Sequence, residues 1–163
     1  MLAAIEKNLA LKVADAVWLA TAMLHREHPK AEGFTIAEIV EKVKQEALTD
    51  KEHISIYTHV NQHCVANRPP NQARLRMLIE TKDEKRRLFC PSDSFHAERD
   101  GRLTPKMDDI PVNLWPLLKW YEDWGARRRG RAVPDDPLMA LAGSGKGMWS
   151  EDAVKHVHRL RAE

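Results

Sequence analysis

At 163 residues the chain is long enough for one domain with its own core plus an appendage, and too short for two full domains. Hydrophobic residues at 43%, charged residues at 31% and a net charge of +2 fit a globular protein and neither demand nor exclude nucleic acid. No apolar run reaches a membrane span, residues 1–7 lack a signal-peptide core, and Cys64 and Cys90 have no CxxC spacing, so a cytoplasmic bacterial or archaeal protein with reduced thiols and no membrane partner is expected.

In chain order, residues 5–26 carry a helical pattern: Ile5, Leu9, Val13 and Val17 recur every four residues, and Ala16, Ala20 and Leu24 continue the stripe. Pro29 and Gly33 close it. Thr35-Ile36-Ala37-Glu38 has the form of a capping box, which opens a second helix with Ile36, Ile39, Val40 and Val43 on one face, ending near Ala47. A second box of the same form, Thr49-Asp50-Lys51-Glu52, opens a third helix through Ile54, Ile56, Tyr57, Val60 and Cys64, stopped before Arg68-Pro69-Pro70.

Beyond the prolines the period falls to two. Leu75, Met77 and Ile79 alternate with Arg76, Leu78 and Glu80, Lys82-Asp83-Glu84-Lys85 makes a polar turn, and residues 86–90 form a second strand. Residues 91–111 read as irregular chain. Leu114, Leu117, Leu118, Tyr121 and Trp124 mark an amphipathic helix, with Trp115 and Trp120 adding bulk. From Gly125 to Arg131 the chain reads as a basic linker, and Pro134-Asp135-Asp136-Pro137 separates body from tail. The division expected is 1–126 for the body, 127–137 for the linker and 138–163 for a helical, partner-binding tail.

The third helix carries the residue types that reach base edges in a major groove: Ser55, Thr58, His59, Asn61, Gln62 and Asn67, opposite a core-facing stripe of Ile56, Val60 and Cys64. Around it stand Arg68, Arg74 and Arg76, then Lys82, Lys85, Arg86 and Arg87 about the hairpin. Residues 51–90 hold eight Lys and Arg against four acids, a local surplus of +4 that exceeds the surplus of the whole chain. Phosphate attachment with salt-dependent affinity is the expectation, set against a polar face that is merely solvated. For Arg127-Arg128-Arg129-Gly130-Arg131, a phosphate clasp and an extended linker both stand open.

Catalytic and metal readings find less. His59 and His63 share a helical face, with His53 and Cys64 near, but the Glu of an HExxH site and a second ligand pair are missing. Gly143-Ser144-Gly145-Lys146 fails the phosphate-loop template, which needs Gly at 140 and Ser or Thr at 147 where Ala140 and Gly147 stand. No nucleophile and base form a constellation. Neither an enzyme nor a metal or cofactor site is expected.

Helix, helix, short turn, helix, hairpin is the order of a winged helix-turn-helix. Through Val17-Trp18-Leu19-Ala20-Thr21-Ala22 and Ser55-Ile56-Tyr57-Thr58-His59-Val60-Asn61-Gln62-His63-Cys64 the body resembles bacterial winged-helix proteins over roughly residues 10–125. The expected fold is therefore mostly α (α+β): a winged helix-turn-helix with a small β-hairpin wing, an added C-terminal helix and a helical tail. The expected partner is double-stranded DNA.

The tail carries a second resemblance. Leu138-Met139-Ala140-Leu141-Ala142-Gly143-Ser144-Gly145-Lys146-Gly147-Met148-Trp149, followed by Val154-Lys155-His156-Val157-His158-Arg159-Leu160-Arg161, is similar to the toxin-binding peptide of type II antitoxins that partner PIN-domain ribonucleases. That resemblance implies Leu138 and Leu141 as helix-face anchors and Trp149 as the aromatic anchor. It also implies Val154, Val157 and Leu160 as a last apolar face, with Lys146 or Arg159 meeting the toxin's carboxylates. The chain departs from the pattern at Gly147, at Ser150-Glu151-Asp152 and after Arg161, where a Gly-Trp pair is usual. The function expected is a DNA-binding, antitoxin-like transcriptional regulator that neutralises a PIN-type toxin. The alternative is a stand-alone winged-helix regulator or adaptor whose tail serves self-association, as in a homodimer.

Overall fold

Alanine, valine and leucine wind residues Val13–Glu27 into α1 in the computed structural model, which describes residues 10–70 and 74–131. Ile5 and Leu9 of the expected stripe lie outside the described residues, while Ala16, Val17, Ala20 and Leu24 are buried. Burial extends past the stripe to Ala14, Trp18, Leu19 and Ala22, so α1 is enclosed on nearly every side and forms the axis of the core. Trp18 meets Tyr121 edge to face, centroids 5.4 Å apart.

The second helix, α2 (Ile36–Gln45), begins on the expected capping box. Thr35 Oγ1 accepts the Glu38 N–H at 3.2 Å and Glu38 Oε2 accepts the Thr35 N–H at 2.7 Å. It ends in a Schellman turn: the Leu48 N–H reaches the Val43 carbonyl and the Ala47 N–H the Lys44 carbonyl, with Ala47 left-handed at φ 49°.

The third helix, α3 (His53–Thr58), does not begin on a second box. Its N-cap is Glu52, without a side-chain cap. Thr49 Oγ1 instead donates to the Leu11 carbonyl at 3.0 Å, tying the turn to the chain before α1. A π-helical turn, His59–His63, extends α3, and the Cys64 N–H closes it on the His59 carbonyl at 3.0 Å. The expected stripe of Ile56, Val60 and Cys64 is buried.

Strands β1 (Leu78–Glu80) and β2 (Arg86–Leu88) pair antiparallel in the register Leu78 with Leu88, Ile79 with Arg87 and Glu80 with Arg86. They are shorter than the expected runs because the amides of Arg76 and Met77 bond to the Arg102 and Cys64 carbonyls instead. Glu84 closes the hairpin tip in the left-handed region at φ 59°. On its outer edge the hairpin takes a third partner: Phe34, between α1 and α2, exchanges both backbone hydrogen bonds with Arg86 at 2.7 and 2.8 Å. Buried His25 of α1 reaches the same strand, its Nε2 accepting the Leu88 N–H at 3.3 Å.

Residues 91–111 run without regular structure except a single 3-10 turn at Met107–Asp109. A second 3-10 turn, Val112–Leu114, leads into α4 (Trp115–Arg131). Leu117 and Tyr121 of α4 are buried, and the Tyr121 hydroxyl donates to the Phe89 carbonyl. The helix was expected to stop near Trp124. It runs on through the basic stretch to Arg131, because Ala126 and the arginines favour helix enough to carry it past Gly125.

The described body is therefore α+β: four α-helices and one small antiparallel hairpin among the described residues. None of the described helices is long and apolar enough to cross a membrane. Backbone contacts divide the chain into units Met1–Ala126 and Arg127–Glu163, and the site below belongs to the first. Residues 132–137 of the expected linker and the whole tail, with Leu138, Leu141, Lys146, Trp149, Val154, Val157, Arg159 and Leu160, lie outside the described residues.

Candidate nucleic-acid interface

A helix that ends against other chain leaves its last carbonyls without intrahelical donors. Here the π-helical turn ends inside the molecule, and two buried arginines meet that need. Arg86, 1% exposed, donates through Nε to the Val60 carbonyl at 3.1 Å and through Nη2 to the Asn61 carbonyl at 3.3 Å. Arg99, also 1% exposed, donates through Nη2 to the Gln62 carbonyl and through Nη1 to the His63 carbonyl, both at 2.9 Å. Arg99 further reaches the carbonyls of Arg68 at 2.6 Å, Leu75 at 2.7 Å and Pro69 at 3.3 Å, which binds the loop after the helix to its end. Burial pushes both guanidiniums below their ordinary pKa, and for Arg86 the Glu80 carboxylate opposes that push.

This arrangement corrects the expectation for Arg86. Its charge faces inward, with its remaining Nη1 on the Glu84 and Lys85 carbonyls and 3.4 Å from Glu80, so it offers nothing to a phosphate. Several other cations of the local surplus are spent in the same way. Arg68 pairs with Glu80 through two bonds of 2.8 and 3.0 Å. That hydrogen bond raises Arg68 and holds the Glu80 carboxyl below its ordinary range. Arg87 grips Asp93 with two bonds of 2.7 Å; burial pulls its pKa down, and the carboxylate more than offsets this. Arg76 donates to the Gly101 carbonyl at 2.9 Å and lies over the Phe95 ring. Arg74 remains exposed, 3.9 Å from Asp100, and Lys82 and Lys85 are exposed at the hairpin tip beside Asp83 and Glu84.

The polar residues of the expected reading face divide similarly. Thr58 Oγ1 donates to the Ile54 carbonyl at 2.7 Å, and His59 Nδ1 sits 2.8 Å from the Ser55 carbonyl, a partner that requires the proton on that nitrogen. Asn67 mimics a strand neighbour: its side chain accepts the Glu80 N–H at 2.9 Å and donates to the Glu80 carbonyl at 3.0 Å. Ser55, Asn61 and Gln62 are half-buried, and Asn61 Oδ1 accepts a long bond of 3.5 Å from Arg68 Nη1. The rings of His59 and His63 stack 4.7 Å apart, and burial lowers the pKa of His63, helped by its neighbours His59 and Arg99. Cys64, beneath, is buried and its thiol is pushed up to about 12 by burial.

Composition and periodicity missed two features. Arg99 sits in the irregular segment, where no periodicity marks it. The outward side of α3 carries Ile54, 63% exposed, and Tyr57, 41% exposed, with Tyr57 stacked on His53 and bordering a groove lined by Val40 and Lys44 of α2. Their three-residue spacing was a visible signal that Ile54 leaves the core stripe of Ile56 and Val60.

The fold and site thus define a small α+β domain in which a short helix, extended by a π-helical turn, is fastened to the hairpin by buried Arg86 and to the irregular segment after it by buried Arg99. No protein-family model matches the chain, and no curated protein or solved structure matches it.

Proposed function

We propose that the body is a winged helix-turn-helix that binds double-stranded DNA, with α3 and its π-helical turn at the major groove and the hairpin as a short wing. The observation that carries this reading is the bridge between Phe34 and Arg86. It supplies an extended segment between the first two helices that joins the hairpin edge, completing the order helix, strand, helix, helix, strand, strand. The half-buried Ser55, Asn61 and Gln62 supply hydrogen-bonding groups, and Lys82, Lys85 and Arg74 supply exposed cations. Because Arg86 is buried and Arg68 and Arg87 are each paired with a carboxylate, phosphate attachment is modest and sequence readout carries more of the specificity.

The wider reading is an antitoxin-like regulator whose tail neutralises a PIN-domain ribonuclease, and it rests on the sequence of residues 138–161. Duplex binding measured across a salt series tests the body. Replacing Lys82 and Lys85 together by alanine should lower the slope of log affinity against log salt by about two. An unchanged slope removes the hairpin tip from the interface. Co-expression with a PIN-domain toxin encoded beside the gene tests the tail: a chain truncated after Pro134 should lose protection, and retained protection would defeat that assignment.

A further inference from the structure

We propose that Arg86 and Arg99 are positioning residues for base readout: together they hold residues 59–63 in π-helical register and so set the direction in which Asn61 and Gln62 face. This inference rests on the duplex-binding reading. Four successive carbonyls, those of Val60, Asn61, Gln62 and His63, each accept from one of the two guanidiniums at 2.9 to 3.3 Å. The two clamps come from different places, Arg86 from the second hairpin strand and Arg99 from the irregular segment after it. A planar fork with five donors can span neighbouring carbonyls, and a lysine ammonium cannot hold the same pair in a fixed plane.

The register matters because a π-helical turn accommodates one residue more than an α-helical turn. If residues 59–63 relaxed to α-helix, the side chains beyond the turn would rotate by about 100° about the helix axis, and Asn61 and Gln62, inside it, by part of that angle. Asn61 and Gln62 would then address different base edges, although the helix itself survived. The same clamp joins wing to helix: Arg86 also holds the carbonyls of Glu84 and Lys85 at the hairpin tip, so that tip and reading face keep one relative position. The positioning role of the pair lies in geometry, since neither guanidinium is exposed to touch DNA.

The experiment uses the full chain, Arg99→Lys and Arg86→Lys. Hydrogen-bond scalar couplings in labelled protein report which carbonyl the Cys64 N–H uses. Wild type should couple to His59, and the variants to Val60. A random-sequence duplex pool then reports base preference. Each lysine variant that folds should still retain duplex at low salt within about threefold of wild type, since the exposed cations are untouched. Its ratio of selected to random duplex should fall at least tenfold, with the loss confined to the base pairs that Asn61→Ala also affects. Lower thermal stability with an unchanged selected sequence would mark the arginines as merely structural and overturn the proposal. Coupling of the wild-type Cys64 amide to Val60 would overturn it even if both variants failed to fold. Failure of wild type to retain any duplex at low salt would instead remove the duplex-binding reading, and the coupling result would separate that failure from failure of the clamp.

Discussion

The segment from α1 to α2 and the segment from the π-helical turn to Arg102 are held by different physics. In the first, burial of Val17, Trp18, Leu19, Ile39, Val40 and Val43 against one another does most of the work, and the helices satisfy their own backbone. In the second, Arg86, Arg87, Arg99 and Arg102 supply donors or ion pairs to chain that has little regular structure. A helix needs only a stripe of apolar residues to be fastened. An irregular segment must find partners for its backbone groups elsewhere, and arginine brings several donors at once.

That contrast is broken most sharply by removing one arginine and one core residue in separate variants. Arg99→Ala orphans up to five carbonyls and should destabilise the fold by about 4 kcal/mol. Leu19→Ala, at the centre of α1, should cost about 3 kcal/mol through lost burial and the cavity left behind. Denaturant melts give both numbers, and amide exchange distinguishes them. The arginine variant should lose protection first at residues 60–78, the leucine variant throughout. Uniform loss in both would erase the distinction between the two segments.

The same contrast explains which parts of the molecule were legible in its sequence. The Thr35 capping box was legible because both of its hydrogen bonds lie within four residues. The box written at Thr49 failed because a competing acceptor, the Leu11 carbonyl, stands 38 residues away and no local pattern announces it. Arg99 was illegible for a related reason: its partners are backbone carbonyls, which every residue has. Arg86 is different. Strand alternation puts it on the same side as Leu88, and the register sets it opposite Glu80, so its inward direction was available to a reading that counted it only as positive charge. The core stripe of α3 was legible, whereas the internal use of Thr58, His59 and Asn67 was not, since polar side chains bond to their own backbone as readily as to a ligand.

A smaller effect sharpens the comparison through pH. Arg68 holds the Glu80 carboxyl below its ordinary value, so the ionised pair stabilises the fold fully above the usual carboxylate range. That contribution drains away as pH falls through the depressed value. Glu80→Gln should cost about 1 kcal/mol at neutral pH, discounted because the Arg68 side chain is about a third exposed. The difference from wild type should vanish in acid, and a gap that persisted there would mean the loss was not electrostatic. Capping offers a matched pair of similar size. Thr35→Ala should cost about 1 kcal/mol, and Thr49→Ala should cost as much only by loosening the contact with Leu11. Exchange of the first α3 amides should therefore be unchanged by Thr49→Ala, since α3 is not capped by that hydroxyl.

The smallest effect runs in the opposite direction, because each segment contains one residue in the left-handed region without being glycine. Ala47 closes α2 at φ 49° and Glu84 closes the hairpin at φ 59°. At both places a Cβ crowds the following carbonyl, and glycine removes that crowding at the expense of greater freedom in the unfolded chain. Ala47→Gly should stabilise by about 0.5 to 1 kcal/mol, since Val43 and Leu48 fix the Schellman turn from both sides and Ala47 is exposed. Glu84→Gly should gain less, because Arg86 already fastens the Glu84 carbonyl and the substitution removes a carboxylate that favours the charged Arg86. Thermal melts of the two variants and their double mutant decide the matter. A larger gain at 84 than at 47 would show the hairpin tip to be the looser of the two turns and the grip of Arg86 on it to be weak.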